Sequence, residues 1–162
     1  MGNVASEEQA KKYFLEGKYN CCQAVICAYC DEYGIDDDAI FRMTEGYGLG
    51  MGGLKDTCGA VTGMFMAIGM ISGYSDPKDP EAKAAHYKRI QELASQFKDK
   101  NGSYICRELL SGEFTGRDPI SVSEMSSVTP PAPRTAEYYQ KRPCGELVGD
   151  AAEILSQFLN IE

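Results

Sequence analysis

Seven cysteines carry the distinctive chemistry of this sequence, and four of them share a setting. Cys21 follows Asn20, Cys58 opens Cys58-Gly59-Ala60-Val61-Thr62-Gly63, Cys106 follows Ser103, and Cys144 follows Pro143. The residues around each predict a helix with that cysteine in its first turn. Free backbone N–H groups and the positive end of the helix dipole favour a thiolate there, and can lower its pKa well below the free value of about 8.5. Four such thiols pointing inward would serve reversible disulfide chemistry. They would equally supply the four-cysteine set of an iron–sulfur cluster or of zinc. Inert packing competes with both, because free cysteine is among the most buried residue types. Packing alone gives no reason to put each thiol at a helix start.

The stretch from Gly46 to Gly73 organises the rest. Glycines at 46, 48, 50, 52 and 53 precede Lys55-Asp56-Thr57 and then Cys58. Such a glycine-dense approach lets backbone come close to another group. It exposes Cys58, the candidate attacking thiol, with Cys21 or Cys144 to resolve it and Cys106 as the fourth member. From Cys58 to Tyr74 no residue carries a formal charge, and the spacings Gly59-xxx-Gly63 and Gly69-xxx-Gly73 would let neighbouring helices approach. The run falls short of the ~20 residues of a membrane span and reads as a buried central helix.

The elements that position these thiols are helical. Ser6 with Gln9 reads as a capping box for a first helix ending near Gly17. Asn20 with Gln23 caps a second helix that stops at Gly34. Asp36-Asp37-Asp38 opens a short third helix through Met43. Asp79 and Pro80 start a long charged helix that runs to Asn101-Gly102, with Ala85, Ile90, Leu93, Ala94 and Phe97 as its apolar stripe. Ser103 caps a short helix containing Cys106, Leu109 and Leu110. Residues 112–134, with Thr129-Pro130-Pro131-Ala132-Pro133, have no period and read as a long loop, a flap or an oligomer arm. Pro143-Cys144 opens the last helix. No strand alternation or internal repeat appears, so the expected fold is all-α, one domain over 1–162 built as a bundle of about six helices around a buried glycine-rich one.

The remaining candidates have plainer readings. Cys22 reads as incidental beside Cys21, with a spare resolving thiol as its alternative. Cys27 and Cys30 form Cys-x-x-Cys, but mid-helix in an all-α chain rather than at a helix start near a βαβ unit, so they read as packing residues. His86, the only histidine, lies in the long charged helix and reads as a solvated surface residue. Gly59, Gly63 and Arg107 are the candidate cofactor-facing residues, and Arg107 could hold a thiolate or an anionic cluster. A surface salt bridge is the plainer account of Arg107.

Asn20-Cys21-Cys22-Gln23-Ala24-Val25, the glycines before Cys58-Gly59-Ala60-Val61-Thr62-Gly63, Cys106-Arg107-Glu108-Leu109-Leu110 and Cys144-Gly145-Glu146-Leu147-Val148 together resemble the bacterial and archaeal C_GCAxxG_C_C family. The resemblance keeps the order and spacing of all four cysteines, with the central motif here running Cys-Gly-Ala-x-x-Gly. It implies a redox role carried by Cys21, Cys58, Cys106 and Cys144. A related four-cysteine domain occurs in split-Soret cytochromes, where a cluster site is implied. This chain has no Cys-x-x-Cys-His, so covalent haem attachment is not expected.

Composition narrows the partners. The chain has 162 residues, 43% of them hydrophobic, which suffices for a real core, and a formal net charge of -8. That balance argues against nucleic acid and anionic membrane surfaces, which call for clustered Lys and Arg. The start of the sequence has neither the basic nor the apolar part of a signal peptide, so a cytoplasmic location is expected, and Gly2 with Ser6 only fits the bare myristoylation pattern. An odd number of cysteines excludes a fully paired framework within one chain. The expected role is thiol–disulfide electron transfer with a partner protein or a small-molecule donor, as a possible oxidoreductase and possible homodimer. The alternatives are a carrier whose same cysteines bind an iron–sulfur cluster, with zinc behind it, and a non-catalytic binding protein.

Overall fold

The computed structural model describes residues 4–126 and 133–161, so the Gly2 pattern and loop residues 129–132 lie outside the described part. The fold is all-α, as expected. Six helices have eight or more residues: α1 (Val4–Leu15), α2 (Cys21–Tyr33), α3 (Asp37–Thr44), α4 (Gly59–Ser72), α5 (Pro80–Asn101) and α9 (Cys144–Ile161). Three short ones complete the set: α6 (Cys106–Leu110), α7 (Val122–Ser126) and α8 (Ala136–Lys141). Among the described residues there is no strand, only an isolated antiparallel bridge between Thr57 and Ile105.

Local chemistry accounts for most helix starts. Asn20 and Gln23 form the expected reciprocal box, the Asn20 side chain accepting the Gln23 N–H at 2.9 Å and Gln23 Oε1 accepting the Asn20 N–H at 3.0 Å. Asp79 accepts the N–H groups of Glu81 and Ala82 at 3.0 and 2.9 Å ahead of Pro80. Two expected caps are displaced. Ser6 lies inside α1, which already begins at Val4. Ile105 rather than Ser103 is the residue before α6, and Ser103 Oγ instead accepts the Ile105 N–H at 3.0 Å and hydrogen-bonds Glu108. The expected loop over 112–134 contains α7.

The core forms where α2 and α4 cross and where α9 lies against α1, α2, α4 and α5. Residues 59–64, Ala67 and Ile68 of α4 are buried, as a central helix without charge requires. Gly63 makes the α2–α4 approach possible: a Cβ there would stand 2.5 Å from the Cys22 carbonyl oxygen and 3.0 Å from Val25 Cβ. The second small-residue spacing does different work. A Cβ on Gly69 would come no nearer than 3.9 Å to His86, and Gly73 caps the helix end by donating its N–H to Gly69. Tyr29, fully buried, anchors α2 to α9 by donating to the Ala152 carbonyl at 2.7 Å, with Ser156 Oγ at 2.8 Å. No helix of the described residues is long and apolar enough to cross a membrane.

Candidate functional site

Cys21, Cys106 and Cys144 are the first residues of α2, α6 and α9, and Cys58 is the cap residue of α4. All four line one cavity of about 260 Å³. The expected convergence of helix starts is therefore present, and glycines on both sides of Cys58 permit it, although they do not expose Cys58 as expected: it is buried by the helix starts packed around it. A Cβ on Gly48 would meet Asn20 Cβ at 2.7 Å, one on Gly50 would meet Cys106 Cβ at 2.6 Å, and one on Gly59 would meet Cys21 Sγ at 2.2 Å. Each of these contacts is too close for any side chain, so each glycine holds a helix start against its neighbour.

The segment 48–51 is a left-handed turn rather than a right-handed helix, with Leu49 at φ 52°, ψ 46° and Gly50 at φ 64°, ψ 57°. Met51 and Lys55 also adopt positive φ, of 70° and 57°. Non-glycine residues in this region cost roughly 1–2 kcal/mol each, so the surroundings must hold them. They do so through a short backbone ladder. Lys55 and Asp56 donate to the carbonyls of Leu49 and Gly50 at 3.2 and 3.0 Å, while Cys106 and Arg107 donate to those of Asp56 and Lys55 at 2.6 and 3.1 Å. The ladder fixes Cys106 over the glycine turn, and the Cys58 N–H is bound to the Tyr104 carbonyl at 2.8 Å.

Backbone N–H groups do point at the thiols. Those of Leu49, Cys22 and Cys21 reach the Cys21 sulfur, and those of Ala60 and Val61 reach Cys58. Their effect is the one expected at helix starts, yet burial outweighs it. Desolvation pushes the thiols of Cys21, Cys58 and Cys106 above the free range, with mutual repulsion among the four as the next cause for Cys58 and Cys106. Cys144 is pushed up to about 12, by burial first and by Cys21 second, while Arg142 and Arg134 pull it back. The expectation of low-pKa thiolates is thus overturned: removing the sulfur from water costs more than a few N–H dipoles return.

The remaining wall was not legible as a site. Phe14, Leu109, Leu110 and Leu147 make it apolar, and three residues of the segment 133–142 cover it: Arg134, Tyr138 and Arg142. Arg134 donates to the carbonyls of Phe14 and Tyr19 at 2.7 and 2.6 Å and lies 4.2 Å from the centre of the Phe14 ring. Arg142 is 6% exposed, lies 4.1 Å from the centre of the Tyr138 ring, and pairs with Glu124 at 3.2 Å. Lys55, also buried, is close enough to draw down the Cys106 thiol. The only sign of Arg134 in the sequence is a basic residue beside a proline-rich stretch, which identifies nothing.

Other candidates lie elsewhere. Arg107 does not line the cavity; its guanidinium is exposed and binds Asp56 at 2.8 Å. Gly59 lines it, whereas Gly63 is a packing glycine of the α2–α4 contact. Cys22, Cys27 and Cys30 are buried in α2, with Cys22 Sγ 3.9 Å from Met66 Sδ and Cys30 donating to the Ile26 carbonyl at 3.5 Å. His86 is half-buried against Tyr74, away from the thiols. None of the seven cysteines is in a disulfide, and among the described residues no three His, Cys, Asp or Glu side chains are grouped to hold a metal ion.

Comparison with curated proteins and with solved structures gave no match. A protein-family match runs over residues 19–158, from just before the cap of α2 to Phe158 in α9, and the family is described as "Putative redox-active protein (C_GCAxxG_C_C)". That span takes in all four cavity cysteines, and the chain belongs to the C_GCAxxG_C_C family.

Proposed function

We propose that this redox-active family member is an electron carrier whose Cys21, Cys58, Cys106 and Cys144 hold an iron–sulfur cluster. The observation that carries the reading is the common cavity of about 260 Å³, lined by all four cysteines and by Arg134 and Arg142. The donor set fits: four sulfurs match the usual thiolate ligation of such clusters. A single zinc fits less well. Its thiolates sit at about 2.3 Å and must be grouped on one point, which no three donors among the described residues are. A cluster spreads its ligands over several irons and calls for a cavity.

When bound, such a cluster supplies one-electron transfer at a potential set by charge, N–H···S bonds and exposure. The protein's part is to hold four thiols, those of Cys58 and Cys106 buried and those of Cys21 and Cys144 half-buried, which release their protons as the metal enters. The N–H groups of Leu49, Cys22, Ala60 and Val61 then stabilise the thiolates, and the apolar wall limits water. Arg134 and Arg142 offset negative charge on the covering side.

One observation favours a dithiol as the second reading: Cys21 Sγ lies against Gly59, the neighbour of Cys58. Oxidation of that pair would release two protons and pass two electrons to a partner disulfide, which becomes two thiols. The raised pKa values of the cavity thiols disfavour it, because attack needs a thiolate.

Anaerobic reconstitution with ferrous iron and sulfide separates the two. A brown protein containing both elements supports the cluster. A colourless protein that gains two free thiols on reduction supports the dithiol and removes the cluster.

A further inference from the structure

Arg142 has an incomplete set of partners. It lines the thiol cavity, is 6% exposed, and stands two residues before Cys144. Tyr138 stacks on its guanidinium at 4.1 Å, and the Glu124 carboxylate accepts from one Nη at 3.2 Å. Glu124 is itself fixed by Ser121, whose hydroxyl donates to it at 2.8 Å and whose backbone N–H donates at 3.1 Å. Arg142 Nε, by contrast, is buried with no hydrogen-bond partner among the described residues. A guanidinium has only donors, and a buried donor left unsatisfied is destabilising because its lost hydration is not replaced. His86 Nδ1 and Thr115 Oγ1 are orphaned in the same way, but neither residue lines the cavity.

We infer that Arg142 is a ligand-facing donor, its Nε–H completed by an anionic occupant of the four-thiol cavity, and that it sets that occupant's reduction potential. The inference rests on the cluster reading, since four thiolates around an iron–sulfur core give an anion with sulfur acceptors. Stacking on Tyr138 uses the face of the guanidinium and Glu124 uses one Nη, which leaves the Nε edge for the occupant. A fixed cation and an N–H···S bond stabilise the more negative, reduced state more than the oxidised one, so Arg142 raises the potential. Arg134 does not duplicate this role, because its Nη groups are committed to Tyr19 and Phe14 and its Nε to Tyr139 at 3.1 Å.

The test is iron content and midpoint potential after anaerobic reconstitution with ferrous iron and sulfide. Wild type is compared with Arg142→Gln, Arg142→Lys and Arg107→Gln, the last removing the same charge from the surface pair with Asp56. The midpoint is expected to fall in Arg142→Gln, to fall by less in Arg142→Lys, and to stay at the wild-type value in Arg107→Gln. A wild-type midpoint in Arg142→Gln, or an equal fall in Arg107→Gln, overturns the inference. If Arg142→Gln does not fold or load, Arg142→Lys decides, and an unchanged midpoint there removes the Nε–H donor. A wild type that takes up no iron and sulfide is a different failure, read from metal content, and it removes the cluster reading together with this inference.

Discussion

The Cys21 sulfur occupies the space where a side chain on Gly59 would begin, since an added Cβ would stand 2.2 Å from it. The start of α2 is thereby seated on the start of α4, and Cys21 and Cys58 open on the same cavity. Gly59→Ala is expected to push Cys21 aside and to cost about 1–3 kcal/mol, the usual penalty of overpacking. Urea denaturation measures the cost. Iron uptake after reconstitution should fall with it, whereas a fully stable, fully loaded variant would show that the close seat is unnecessary.

Burial dictates how the metal-free protein responds to pH. Folded thiols at Cys21, Cys58, Cys106 and Cys144 keep their protons where the unfolded chain has lost its own. Their contribution is therefore complete below the free thiol value of about 8.5 and declines as pH rises beyond it, through the value of about 12 that Cys144 reaches. Denaturation midpoints measured at intervals from pH 7 upward should fall above that lower bound. A rise in the same window would mean that the helix ends, not burial, govern these groups.

Arg134 ties the cover of the cavity to the end of α1 through the Phe14 and Tyr19 carbonyls. Arg134→Ala removes these two charged hydrogen bonds and the one from Nε to the Tyr139 hydroxyl, and is expected to cost about 2–4 kcal/mol. Alkylation of native cysteines by iodoacetamide should accelerate as the cover loosens. Unchanged labelling at all four cavity thiols would show that this strut does not close the site.

Arg107 gives the contrasting expectation. Its pair with Asp56 is half exposed on both sides, so Arg107→Ala should change stability by no more than about 1 kcal/mol. Iron per chain should match the wild type. A large loss of iron would place Arg107 in the site after all.

Most of the frame was legible in the sequence because its signals are local. The Asn20–Gln23 box, the Asp79-Pro80 start and the uncharged run after Cys58 each act over a few residues, and each recurs in the fold. The four cysteines were legible as a set through their helix starts. Two kinds of information were not local. Thiol ionisation depends on how deeply the cavity is enclosed, which no helix start reveals. Arg134 and Arg142 acquire meaning only when the segment 133–142 folds back over α1 and α2, a contact across more than a hundred residues for Arg134. Ser6 misled because a cap signature was present without a boundary: α1 already continues back to Val4.

The most direct test of the central claim is iron and sulfide content with the visible spectrum, measured after anaerobic reconstitution of the wild type and of each cysteine-to-serine variant. Loading that is lost or weakened in the variants of Cys21, Cys58, Cys106 and Cys144, and kept in those of Cys22, Cys27 and Cys30, is the expected result. A colourless wild type, or loading that survives loss of all four cavity thiols, would contradict the account.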